Sequence, residues 1–227
     1  MVPIRRAIWV AVAIAIPSVG CSSIGSLGDL RRGRFSYECT QASDAACDAG
    51  DPAPSVWDND NGRPMPEVIA VGGSFRVHYW DGDINRERDV VAASTGMLSR
   101  ASDGFTISKA GYAALIAKDS AETVLDFIHM EGAPIASLDL QRDGYPLSGA
   151  IELPVGATTR LVASALDAKG RQLSGGVSCW WSIDKDDIVH MDSSSDNRIV
   201  VTGTSPGTAT AKVTMGSKSA TVSFEVW

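Results

Sequence analysis

From Val68 onward, apolar and polar residues alternate in short runs and never settle into the three- and four-residue spacing of a helix. The runs at 68–71, 75–79, 89–93, 105–107, 112–117 and 124–130 are each bounded by Gly, Asp or Ser. Successive side chains of a strand point to opposite faces, so these runs predict strands. Upstream, residues 34–39 alternate strictly, with Phe35, Tyr37 and Cys39 on one face. Residues 110–117 are rich in alanine, but Gly111 and the shortness of the run favour a strand over a helix. The stretch 44–60, rich in Asp, Ala, Pro and Asn, reads as loop. A junction at 138–147 follows, and strand signals resume at Ile151 and recur at 199–202, 208–213 and 220–227. Many short strands with no long helical period predict an all-β chain of sandwich or barrel type.

The N-terminus follows another pattern. Arg5 and Arg6 precede an apolar run at 7–16, which Pro17 breaks before a set of small residues. This order is that of a secretory signal, and its core of about ten residues falls well short of the ~20 that span a bilayer. Ser18-Val19-Gly20-Cys21 then resembles the lipobox of bacterial lipoproteins, with Ser18 where Leu is usual. The resemblance implies that 1–20 is a lipoprotein signal peptide and that Cys21 is the lipidated start of the mature chain; ordinary cleavage near Gly20 is the alternative. Residues 21–32 read as a flexible tether. Each buried CH₂ of an acyl chain contributes about 0.8 kcal/mol, so the body needs no membrane-binding surface of its own. Ser22 stands where an Asp would mark inner-membrane retention in enteric bacteria. The expected location is therefore the outer membrane, on its periplasmic or surface face.

Residues 141–227 resemble a bacterial immunoglobulin-like domain of group 2, the module of invasin- and intimin-type surface proteins. The resemblance rests on Val155-Gly156 followed by Leu161, the turn Asp167-Ala168-Lys169-Gly170, Trp181-Ser182, the turn Pro206-Gly207-Thr208-Ala209, and the closing run 219–226. Asn197-Arg198 depart from it where a Gly is usual, and Ala211 replaces a larger apolar residue. Residues 33–140 look like a divergent copy: Val71-Gly72 corresponds to Val155-Gly156, and Gly111-Tyr112-Ala113 to Gly207-Thr208-Ala209. Between these marks the first copy is 12 residues shorter (39 against 51). The resemblance implies two tandem immunoglobulin-like β-sandwiches behind the leader and tether. Within Cys179-Trp180-Trp181, alternation puts Cys179 and Trp181 on one face and Trp180 on the other, and the resemblance implies that Trp181 is the core residue.

Charge and candidate chemistry narrow the function. The chain carries a formal charge of −7, which becomes −9 once Arg5 and Arg6 leave with the leader. An acidic body excludes a general affinity for nucleic acid. Of the four cysteines, Cys21 goes to lipid, Cys39 and Cys47 are expected to form a disulfide in an oxidising compartment, and Cys179 reads as a buried thiol. Gly203-Thr204-Ser205-Pro206-Gly207 spells a nucleophile elbow, but a strand pattern follows where a helix is required. His78, His129 and His190 lack metal-ligand spacing, and a Cys179–His190 pair lacks a third group. The run Asp81-Gly82-Asp83 to Asp89 begins like a calcium loop but has Arg86 and Ala92 where Gly and Glu belong. No catalytic residue, metal or cofactor is expected. The expected function is that of a non-catalytic envelope lipoprotein offering immunoglobulin-like modules for structural or adhesive contact. The alternative is a ligand- or glycan-binding protein that uses first-sandwich loops near Trp57, Tyr79 and Trp80.

Overall fold

The structure is a computed structural model, and it describes residues 26–46, 63–82, 86–93, 96–101 and 104–227. Among them every regular element is a strand. The first body holds β1 (Ser26–Leu27), β2 (Gly33–Cys39), β3 (Val68–Ala70), β4 (Ser74–Asp81), β5 (Arg86–Ala92), β6 (Leu98–Ala101), β7 (Gly104–Ile107), β8 (Gly111–Lys118) and β9 (Val124–Ala133). They form one nine-stranded sheet in the order β1-β2-β4-β5-β8-β9-β3, with β7 on the start of β4 and β6 on β7. The sheet curls at β5, whose residues 86–88 pair with β4 and whose residues 89–92 pair with β8. The curl wraps an aromatic core. Strict alternation in β4 turns Phe75, Val77 and Tyr79 inward, where Tyr79 meets Phe35 with ring centroids 4.7 Å apart and Phe75 lies 5.6 Å from Tyr37.

The second body holds β10 (Ser137–Arg142), β11 (Tyr145–Pro146), β12 (Ile151–Leu153), β13 (Thr158–Leu166), β14 (Cys179–Ile183), β15 (Val189–Met191), β16 (Arg198–Gly203), β17 (Gly207–Met215) and β18 (Lys218–Val226). They make two sheets, β11-β10-β13-β16-β15 and β12-β18-β17-β14. The inward faces of both sheets share one cluster that includes Leu161, Val201, Trp181, Val213 and Phe224. β10 runs across the expected module boundary at 140/141, and all six of its residues pair with β13.

The two bodies repeat one plan. β3 runs parallel to β9, and β12 runs parallel to β18. The chain then turns through Gly72 (φ 87°) or Gly156 (φ 83°), a region that L-residues avoid. Val71 N donates to Ala133 O (2.9 Å) and Gly72 N to Ile107 O (2.7 Å). In the second body Val155 N donates to Trp227 O (2.9 Å) and Gly156 N to Gly203 O (2.7 Å). Gly111 and Gly207, both at positive φ, open β8 and β17. The copies differ most between the strand after this turn and the next one. That connection is residues 82–85 in the first body and 167–178 in the second. The short link lets β4 pair with β5, whereas β13 and β14 lie in separate sheets.

Trp181 is 1% exposed and Trp180 is 59% exposed, as alternation requires. The Trp181 indole N–H donates to Asp196 O at 2.9 Å, so its polar atom is satisfied. Trp181→Ala should cost about 3–5 kcal/mol through lost burial and a cavity. Trp180→Ala should cost under about 1 kcal/mol, as surface changes do. Urea unfolding of the full chain checks both; a larger loss for Trp180→Ala would place the strand one residue out of register.

Candidate functional site

The sequence-derived candidates do not converge on one place. Cys21, Cys47 and Trp57 lie outside the described residues. Cys39 ends β2, half-buried, and the free cysteine among the described residues is Cys179. Cys179 faces the second core, and burial, with Asp196 adding to it, pushes its thiol up to about 12. A thiol held protonated is a poor nucleophile. His190 is exposed on β15, in the opposite sheet. Ser205 sits in the exposed turn between β16 and β17, so a strand, not a helix, follows it.

The aromatic cleft expected from Tyr79 and Trp80 needs correction. Tyr79 is fully buried in the first core, while Trp80 follows it on the other face of β4. Adjacent strand residues cannot line one cleft. Of the acids in the loop-like run 81–89, Asp83 lies outside the described residues. Asp81 meets Arg88 (3.3 Å), Glu87 meets His78 (2.5 Å) and Asp89 meets Arg100 (3.8 Å). Among the described residues no group of three or more His, Cys, Asp or Glu side chains is arranged to hold a metal ion.

Three polar constellations organise the surface and the joins. The first is the seam between the bodies, which the long connection of the second body builds. Residues 173–177 are buried. Ala70 N donates to Ser174 O (2.8 Å) and Ser174 N to Val68 O (3.1 Å); Ser74 N and Gly176 O, and Gly176 N and Ser74 O, form a reciprocal pair (2.9 and 2.7 Å). At its centre Gly175, at φ 93°, lies so near Gly73 that an added Cβ would stand 2.8 Å from the Ile69 side chain and 3.2 Å from Gly73 Cα. Segment 40–46 covers the seam. Asp44 accepts Gly175 N–H (3.0 Å) and Ala46 N–H (3.0 Å) on one oxygen and the Tyr37 hydroxyl (2.5 Å) on the other. Ser43 Oγ donates to Val177 O at 2.7 Å. Burial raises the Asp44 carboxyl above its ordinary range, against the pull of these donors. Burial, with Asp44 beside it, raises the Tyr37 phenol far above its own. Outside the seam's core, Arg171 joins Glu131 of the first body to Asp167 of the second, each at 2.8 Å.

The second constellation is Asp126, fully buried on β9. Its oxygens accept Leu30 N–H (2.8 Å) and Arg32 N–H (3.0 Å), while Asp29 N donates to Phe127 O (2.8 Å). Gly28 packs against this carboxylate with no room for a Cβ. Residues 26–32, expected to be tether, are thus fastened to the first body. The third is His78 on β4, whose ring nitrogens meet Glu38 (2.7 Å) and Glu87 (2.5 Å) on the flanking strands. Burial lowers the imidazole pKa, but the two carboxylates outweigh it and hold His78 above its ordinary value.

Two predictions follow from these groups. Asp44→Ala leaves the buried Gly175 N–H and Tyr37 hydroxyl without their acceptor, at about 1–3 kcal/mol for each group that water does not reach. A lowered urea midpoint for the whole chain is expected, with a smaller loss for Asp44→Asn. For His78, a raised folded pKa means stabilisation that is complete below the ordinary value of about 6.5 and fades as pH rises through the folded value. The Tm difference between wild type and His78→Gln should therefore shrink over the window that opens at about pH 6.5 as pH rises. Glu87 is about half exposed, so the effect stays below about 1 kcal/mol. A difference that grows with pH over that window would contradict the assignment.

No family model matches the chain, and no curated protein matches it. Among solved structures, domains 4 and 5 of the S-layer protein SbsC are 15% identical, covering 66% of this chain and 89% of that one at a TM-score of 0.33. The C-terminal 282-residue fragment of intimin, solved with the intimin-binding domain of its translocated receptor, is 17% identical and covers 70% of this chain and 60% of that one at 0.29. A family 2 glycosyl hydrolase from Bacteroides cellulosilyticus is 12% identical and covers 84% of this chain at 0.35; the chain spans 28% of that enzyme's length.

Proposed function

We propose that this protein is a non-catalytic lipoprotein of the cell envelope, whose two immunoglobulin-like modules serve structural or adhesive contact. One observation carries the reading: two copies of a single strand plan are fastened to each other through buried backbone. A duplicated body fastened in this way suits a protein that holds a surface at a set place. The pairing of β10 with β13 supports a module junction at residues 134–136. The Trp181 core and the paired glycine turns support the group 2 immunoglobulin-like assignment. Cys39 stands at the foot of the segment that covers the seam, and a Cys39–Cys47 disulfide would close that segment into a loop. The partner is a protein or a glycan, and the membrane is met through lipid on Cys21.

Anchoring is the part open to direct test. The wild-type chain should partition into detergent and sediment with the outer membrane. Cys21→Ala should remain uncleaved or appear in the soluble fraction. Unchanged partitioning of that variant would remove the lipoprotein reading and leave the two-module body as it is.

A further inference from the structure

The outward face of the sheet β12-β18-β17-β14 has a composition unlike that of the rest of this acidic protein. Register fixes it row by row. Trp180 lies beside Thr214 and Thr214 beside Ser219; Ser182 lies beside Lys212 and Lys212 beside Thr221; Thr210 lies beside Ser223. Their neighbours in sequence, among them Cys179, Trp181, Ala211, Val213, Val222 and Phe224, are buried in the second core, so these side chains stand outward. Strands lie about 4.8 Å apart, and outward residues along one strand about 6.8 Å apart. The result is a grid of hydroxyls with an indole at one edge.

The charges on this grid are as particular as the hydroxyls. The chain has 27 acidic side chains against 20 basic ones, yet the first two rows carry one charge, that of Lys212. Among the described residues Lys212 enters no ion pair, unlike Arg76, Arg88, Lys118 and Arg171. The nearest acid, Asp184, follows β14 opposite Thr210, is exposed, and accepts Thr210 N–H on one oxygen at 2.7 Å. Glu152 and Glu225 stand together in the row with Thr208, beyond the Thr210 row. Within these two rows, which hold no acid, the Lys212 ammonium favours an anion. The exposed indole offers a π-face with negative charge density, which attracts the weakly positive C–H groups of a flat ring. The hydroxyls donate and accept with equal ease.

We infer that this face binds an acidic glycan strand: a pyranose ring stacks on Trp180, a ring carboxylate reaches Lys212, and ring hydroxyls bond to Thr214, Ser182, Thr221 and Ser219. The inference goes beyond the envelope reading and does not depend on anchoring. It also differs in place from a site in the first-body loops, because every contact comes from the second body.

The test is calorimetric titration of the full chain in detergent with a hexamer of galacturonic acid, and with cellohexaose as the uncharged counterpart. The acidic hexamer should bind. Trp180→Ala should weaken it at least 10-fold and Trp180→Phe much less, while Tyr145→Ala, an exposed aromatic on β11 in the other sheet, should leave it unchanged. Lys212→Gln should weaken the acidic hexamer several-fold, and rising salt should do the same. Absence of binding to both hexamers, or binding indifferent to Trp180→Ala, overturns the site. Equal binding of both hexamers, indifferent to Lys212→Gln, overturns the acidic assignment. Unfolding midpoints close to wild type for the Trp180 variants would assign a loss to the surface and not to the fold. Membrane partitioning of the same variants should be normal, so a failure here is distinct from a failure of the lipoprotein reading.

Discussion

The arrangement of this protein depends on one close approach of backbone to backbone, where Gly175 lies against Gly73 and the segments around them exchange hydrogen bonds. Amide groups taken out of water must find partners, and the four bonds linking Val68, Ala70 and Ser74 with Ser174 and Gly176 supply them. No side chain can stand between the two segments at Gly175, and its positive φ excludes most alternatives independently. The approach is possible because the second copy has 12 residues between β13 and β14 where the first has four between β4 and β5. The length added in the second copy is what reaches the first.

Two buried acids secure the polar segments that flank β2. Asp44 gathers donors from β2, from its own loop and from the second body, and Asp126 gathers the amides of the turn after β1. Burying a carboxylate is costly unless donors surround it, and both do have several. Removing one therefore exposes more than a single lost bond. Each acid converts a polar stretch with little apolar content into a fixed part of the body.

The strands, the turns at Gly72, Gly156, Gly111 and Gly207, and the opposed faces of Trp180 and Trp181 were legible because each depends on a local pattern of period two or on a residue that tolerates positive φ. The seam was not. Its partners are about a hundred residues apart, and the stretch Leu173-Ser174-Gly175-Gly176-Val177 looks like loop because its bonds go to another segment. Asp126 left a trace, since alternation with Ile128 and Met130 sets it on an inward face, where an acid has no place unless it is capped. The same rule, applied to Tyr79 and Trp80, separates them onto two faces and removes the cleft that composition alone suggested. The grid around Trp180 could be assembled only once register had placed Thr214 and Lys212 beside β14.

β3 has a further consequence. Its three residues alternate as a strand must, but both of its faces are enclosed: Val68 and Ala70 belong to the second core and Ile69 to the first. One short strand is thus a shared wall. Melting of either body would strip one face of β3 and loosen its bonds to β9, and so open the neighbouring body at its edge. The two copies, although built on one plan and each with its own core, are therefore coupled in cooperativity. Their amide protons at the seam should exchange with those of the cores on either side, through a common opening and not through two independent ones.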